Sequence, residues 1–271
     1  MKRTLITLFL LVFVCSSAAA QKISVPCPSK TVLNKKGIEG CPETGCGKLL
    51  DPHLNEKKNI RSDDSRPKRM TIAQLQALPD PVPKFKIGNT REKLEAKGEG
   101  NKITVVAFAL IARAGGKESC NCALTDAVNT DNHIVLVEEP TLKLTARASR
   151  AKPPAPGKKR GTPARTAKQN TLERRERQSM TAEFTPHARL DHPKLEGARL
   201  QALIDAAPNN ALLVRVTGLQ FFDSEHSLGP FKLKRINNWE IHPVLKLEFC
   251  PAGKTCTRDS DANWEDLEEV D

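Results

Sequence analysis

Residues 180–222 read MTAEFTPHARLDHPKLEGARLQALIDAAPNNALLVRVTGLQFF, and this stretch decides the fold. Met180 to Ala188 alternates, with Met180, Ala182 and Phe184 on one face and Thr181, Glu183, Thr185 and His187 on the other. That is the period of a half-buried strand. Gly197 to Ala206 changes to a helical period through Leu200, Leu203 and Ile204 and is stopped by Pro208. Leu212 to Phe222 returns to a strand, with Leu212, Val214 and Val216 opposite Arg215 and Thr217. A strand, a single helix and a strand therefore follow one another.

Two more strands precede this unit. KITVVAFALIAR at 102–113 is apolar and β-rich on much of both faces, and His133 to Val137 is the second. One strand follows it, Trp239 to Phe249. Trp239, Ile241, Leu245, Leu247 and Phe249 face one way, and Glu240, His242, Lys246 and Glu248 the other. Trp239 is in phase with Ile241 and reads as core. Three strands, a helix and two strands is the order of an OB-fold, a five-stranded Greek-key barrel. The expectation is an all-β protein with one helix, an OB-fold-like barrel over residues 101–250, and an irregular N-terminal extension. A β-sandwich needs more strands than the chain offers.

Around the barrel the chain changes character. Residues 1–20 have the basic start, the short apolar run and the Ala18-Ala19-Ala20 site of a cleaved signal peptide, so export from a bacterial cell to the periplasm or beyond is expected. Residues 21–70 are rich in Cys, Gly and Pro and read as loop. Residues 71–100 hold short helices, the first capped by Thr71 and Gln74, around a Pro79-Pro81-Pro83 linker. Residues 141–178 carry twelve Lys and Arg against two Glu, a net of +10, while the whole chain has +11. This segment has no apolar period and reads as a disordered basic insertion between two strands. Residues 251–271 form an acidic tail.

Without Cys15 of the signal, seven cysteines remain, an odd number, so at least one stays free or pairs between chains. Export favours disulfides. Cys250 and Cys256 enclose a short loop and form the first expected bridge; Cys41 and Cys46 form the second. Cys120 and Cys122 are too close to pair easily with each other.

Several strings resemble an uncharacterised group of secreted bacterial proteins. They are Asp131-Asn132-His133, Glu183-Phe184-Thr185-Pro186, Phe222-Asp223-Ser224-Glu225-His226 and Trp239-Glu240-Ile241-His242-Pro243. Gly45-Cys46-Gly47 and the stretch from Asp51-Pro52 to Lys57-Lys58-Asn59 look similar too. The resemblance implies a shared fold and export, and carries no activity. The long basic insertion departs from the pattern.

Five of the six histidines lie in the barrel segment, each with an acid nearby. Neighbouring third and fifth strands of an OB-fold would join Glu183 and His187 with Glu240 and His242 in one outward patch. With His133, Asp223 and His226, these residues are the candidate ligands for zinc or a similar divalent cation. The opposing reading is a solvated face paired with Arg215 or Lys246. Lys158, Lys159, Arg160, Arg174, Arg175 and Arg177 are candidates for weak, sequence-independent binding of a polyanion. No Gly-x-Ser-x-Gly elbow or Walker-type loop is present. Two functions are consistent with these features. The first is a non-enzymatic binding or interaction module of the bacterial envelope. The second is a metal-dependent hydrolase, phosphodiesterase-like, using the His and carboxylate set, with Asp223 and Arg235 in one loop.

Overall fold

The structure, a computed structural model, describes residues 23–79, 91–140, 174–224 and 235–270. The signal segment, Lys158, Lys159, Arg160 and His226 lie outside the described residues. The extension contains β1 (Ile23–Val25), α1 (Lys30–Lys36), β2 (Gly47–Leu50), α2 (Pro52–Lys58), β3 (Lys68–Met70), α3 (Ile72–Gln76) and α4 (Glu92–Glu95). Residues 21–70 are thus more regular than the loop expected from their composition, while α3 and α4 fall in the 71–100 stretch read as short helices. Ser29 caps α1 and Asp51, followed by Pro52, caps α2. Seven residues are too few to show a helical period, so only the caps announce these helices. The Thr71–Gln74 capping box is present as read.

The body comprises β4 (Lys102–Ala114), β5 (Asn132–Val137), β6 (Met180–Phe184), α5 (Gly197–Ala206), β7 (Leu212–Phe222), β8 (Trp239–Phe249) and a short β9 (Glu265–Asp266). The protein is mostly β, with five strands closed into a barrel. β4 pairs with β5, β5 with β6, β6 with β8 in parallel, β8 with β7, and β7 back to β4. β4 closes the barrel because it serves two neighbours. Lys102 to Ala109 lie against β7, and Phe108 to Ala114 against β5. Ile103, Val105, Ile134, Phe184, Val216 and Leu247 fill the interior, and α5 adds Leu200 and Ile204. Each such burial stabilises by roughly 1.5–3 kcal/mol. Trp239 is fully buried there and donates its indole N–H to Pro79 O at 2.9 Å. Among the described residues no helix is long and apolar enough to cross a membrane.

Three expectations are corrected. The alternation of β8 breaks after Ile241. Val244 enters the core in place of Leu245, which lines a surface groove with Arg215 and Lys246. The β7–β8 register shifts at Gly218, where a Cβ would lie 2.3 Å from Pro243 O, so only glycine admits the irregular backbone. The acidic tail, read as lying outside the 101–250 barrel, packs against it. β9 pairs with β8, Leu267 is buried in the main core, and Arg215 lies over the Trp264 ring. The third correction concerns disulfides. Cys250–Cys256 is present, but Cys41 pairs with Cys122 and Cys46 with Cys27. The β1–β2 pairing sets Val25 opposite Gly47, which brings Cys27 to Cys46. Cys120 stays free and buried.

The basic insertion also ends earlier than its charge run. Glu176 is buried against Arg113 at 2.6 Å, Arg175 bonds Pro140 O, and Gln178 O accepts from Gln76 at 2.8 Å. Arg174 and Arg175 are half-buried and Arg177 exposed, so these three belong to the folded body. Replacing residues 148–173 by a short Gly/Asn turn is expected to leave stability within about 0.5 kcal/mol, since closing a shorter loop costs no more entropy. Extending the cut through Glu176 is expected to cost about 1–3 kcal/mol, from the lost charged hydrogen bonds. Urea unfolding of the two deletions checks both values. A first deletion that fails to fold would place the insertion in the core.

Candidate metal centre

His133, Glu183, Glu240 and His242 share the barrel's outer face. Cross-strand register places His133 opposite Glu183 and Glu240 opposite Thr181. Of the expected patch of Glu183, His187, Glu240 and His242, the first and the last two share this face, and His133 joins them. Their environment differs from a solvated face, because Glu183 is 4 % exposed and Glu240 and His242 are fully buried. Two segments cover them, the extension around α2 and the loop from Gly115 to Asp131.

Those two segments are tied to each other before they meet the barrel. The Cys41–Cys122 disulfide links them, Cys46 N donates to Ser119 O at 3.0 Å, and Asn59 Nδ2 donates to Cys120 O at 3.1 Å. Gly45 has φ +68° and lies so close to Ser119 O that no Cβ fits. This clamp delivers Lys58, Glu118, Cys120 and Asp131 onto the face. Lys58 Nζ lies 2.7 Å from Glu118 Oε2, and Asn121 Nδ2 donates to Asp131 Oδ1 at 3.1 Å. On the other flank Arg235 joins the end of β7 to the start of β8. It holds Asp223 Oδ2 at 2.8 Å and also bonds Glu240. Asp223 and Arg235, read from the sequence as neighbours in one loop, are thus fixed together.

The charges do not balance locally. Burial acts against Lys58 and Glu118, but each charge holds the other, so Lys58 is raised and Glu118 falls to about 2. Burial likewise opposes the Arg235 charge, which Glu240 and Asp223 more than restore. Glu240 stays below the usual carboxylate range because Arg235 and His242 outweigh its burial. Among the described residues, neither Asp131 nor Glu183 is paired with a Lys or Arg. Burial, then Glu118, pushes Asp131 up to about 6. Burial, then Glu240 and Asp131, pushes Glu183 well above its ordinary value. Burial lowers His133 to about 4, so its imidazole is neutral. It also raises the Cys120 thiol, which argues against a nucleophilic thiolate.

Hydrogen bonding shows the same deficit. His242 Nδ1 bonds Glu240 Oε1 at 3.1 Å. Glu183 Oε2 lies 3.3 Å from that nitrogen but receives no directed hydrogen bond. Asp131 Oδ2, Glu183 Oε2, His242 Nε2 and His133 Nε2 are buried without a partner among the described residues. Asp131, Glu183 and His242 each offer a donor atom within 4.8 Å of the others, and so do Glu118, His133 and Glu183. Glu118, Cys120 and Asp131 form a further group of this kind. Mixed imidazole and carboxylate donors suit Zn²⁺, Mn²⁺ or a similar ion. The Glu240–His242 hydrogen bond is the orienting contact that histidine ligands usually have.

His187 does not join the centre. β6 ends at Phe184, and His187 enters the turn before Ala188–Leu190, buried and close to the influence of Arg61. Sequence reading passed over Lys58, Glu118 and Asp131 as ligand-set members. Asp131 lies two residues before His133, and Glu118 opens the Glu-Ser-Cys-Asn-Cys string in the first barrel loop. Both signals were available. Lys58 stood in the Asp51-Pro52 to Lys57-Lys58-Asn59 string, but nothing local tied that stretch to the barrel face. Comparison with protein-family models, with curated proteins and with solved structures finds no match to this chain.

Proposed function

We propose that this chain is an exported, metal-dependent hydrolase of anionic esters, phosphodiesters foremost, built on an OB-type barrel. One observation carries the reading. Asp131, Glu183 and His242 converge in a buried cluster with unpartnered donor atoms and, among the described residues, no Lys or Arg paired with the two carboxylates. A divalent ion there would supply the missing charge and lower the pKa of a bound water toward about 7. Lys58 and Arg235 stand beside the acids and would attract an anionic substrate. Three disulfides are consistent with export. The order of barrel strands and the helix before the fourth support the OB type.

The test is elemental analysis of protein purified without chelator, followed by hydrolysis of bis(p-nitrophenyl) phosphate. At least one equivalent of divalent metal is expected, with turnover lost in EDTA and restored by Mn²⁺ or Zn²⁺. Folded protein that takes up neither ion overturns the metal centre. Stoichiometric metal without turnover on phosphate esters overturns the hydrolase and leaves the envelope binding module.

A further inference from the structure

The two donor triads that share Glu183 are not alternatives for one ion. We infer that the centre holds two divalent cations. Asp131, Glu183 and His242 take the inner one, Glu118, His133 and Glu183 take the outer one, and Glu183 bridges them. The inference rests on the metal reading above and extends it to ion number and ion exchange.

Unmet donors are the first argument. His242 Nε2 in the inner triad and His133 Nε2 in the outer one are both buried without a hydrogen-bond partner among the described residues. One ion in either triad leaves the imidazole nitrogen of the other unmet. Two ions satisfy both.

Donor geometry is the second argument. Glu183 has two oxygens facing different imidazoles. Oε1 lies 3.5 Å from His133 Nε2, and Oε2 lies 3.3 Å from His242 Nδ1. Glu183 is almost wholly buried with Oε2 unpartnered, and His133 Nε2 is unpartnered too. With Nδ1 held by Glu240, His242 offers Nε2 to the inner ion, while Glu183 offers Oε2 on the His242 side and Oε1 on the His133 side. Lys58 and Cys120 both contact Glu118 Oε2, and neither takes Oε1. Glu118 can therefore keep its lysine while ligating. Ions in two-metal hydrolytic sites stand about 3.5–4 Å apart, a span that one carboxylate bridges.

Exposure distinguishes the positions. All three inner ligands are buried, whereas the His133 and Glu118 side chains are 32 % and 21 % exposed. The outer ion thus faces solvent, exchanges first and meets the substrate.

The experiment is Mn²⁺ titration of the chelator-stripped, full-length protein, with bound metal counted after gel filtration and the loaded protein observed by EPR. Wild type is expected to hold two equivalents and show the signal of a spin-coupled pair. His133→Gln and Glu118→Gln are each expected to retain one equivalent and lose the coupled signal. Cys120→Ser is expected to retain two. One equivalent in folded wild type, with no coupling, overturns the second ion while preserving the first. No bound ion in folded wild type overturns the metal reading itself. Loss of an ion in Cys120→Ser overturns the assignment of the outer ligands.

Discussion

Replacing Arg235 by Gln is expected to lower the unfolding free energy by about 3–5 kcal/mol, much of a small domain's stability. The guanidinium is 7 % exposed and joins two carboxylates that are themselves buried, Asp223 at the end of β7 and Glu240 at the start of β8. Glutamine keeps some hydrogen-bonding capacity but removes the positive charge from both. Two buried carboxylates then lose their guanidinium, and their desolvation is no longer offset. Truncating one partner of a buried pair costs far more than the pair adds over an apolar substitute. The contrast is Arg61, whose pair with Asp191 is 36 % and 46 % exposed, and whose replacement is expected to cost under about 1 kcal/mol. Urea unfolding of both variants measures the difference. An Arg235→Gln loss no larger than that of Arg61→Gln would show that the buried network is solvated.

The barrel was legible wherever periodicity is the physical cause of structure. Met180 to Phe184, Gly197 to Ala206 and Leu212 to Phe222 bury one side of a regular element, and that constraint is written in the spacing of their apolar residues. The same constraint put Glu183, Glu240 and His242 on one face, which His133 shares through its register with Glu183. What covers that face has no period. α2 and the Gly115–Asp131 loop are held by caps, side-chain hydrogen bonds and a disulfide spanning 81 residues, none of which leaves a local pattern. A face that strand alternation marks as outward is consequently buried. The error at His187 has the opposite origin, since alternation was extended beyond Phe184, where the strand already ends. Leu245 failed for a third reason, because the irregularity of β8 depends on Gly218 in its neighbour.

Asp131→Asn is expected to stabilise the metal-free protein and destabilise the metal-loaded one. Asp131 is fully buried, and its carboxyl titrates at about 6 in the folded chain, against an ordinary 3.8. A carboxyl raised in this way favours the folded state below pH 3.8, and that contribution is lost as pH rises to about 6. Two pKa units correspond to about 3 kcal/mol at neutral pH. Asparagine matches the shape of the acid, its carbonyl can accept the Asn121 hydrogen bond, and it carries no charge to desolvate. In EDTA at pH 7.5 the variant should therefore be more stable by about 3 kcal/mol, with the advantage vanishing near pH 4. His133 and His187 also titrate between these limits, but they are common to both proteins and cancel in the difference. Metal reverses the order. At a thousand-fold excess over its dissociation constant, an ion bound only to the folded state adds about 4 kcal/mol, and the amide forfeits most of it. Thermal or urea unfolding of both proteins across pH 4–8, with EDTA and with Mn²⁺, reads the crossover. If Asp131→Asn is the less stable protein in EDTA at pH 7.5 as well, the carboxylate is already satisfied within the fold and is not held for a cation.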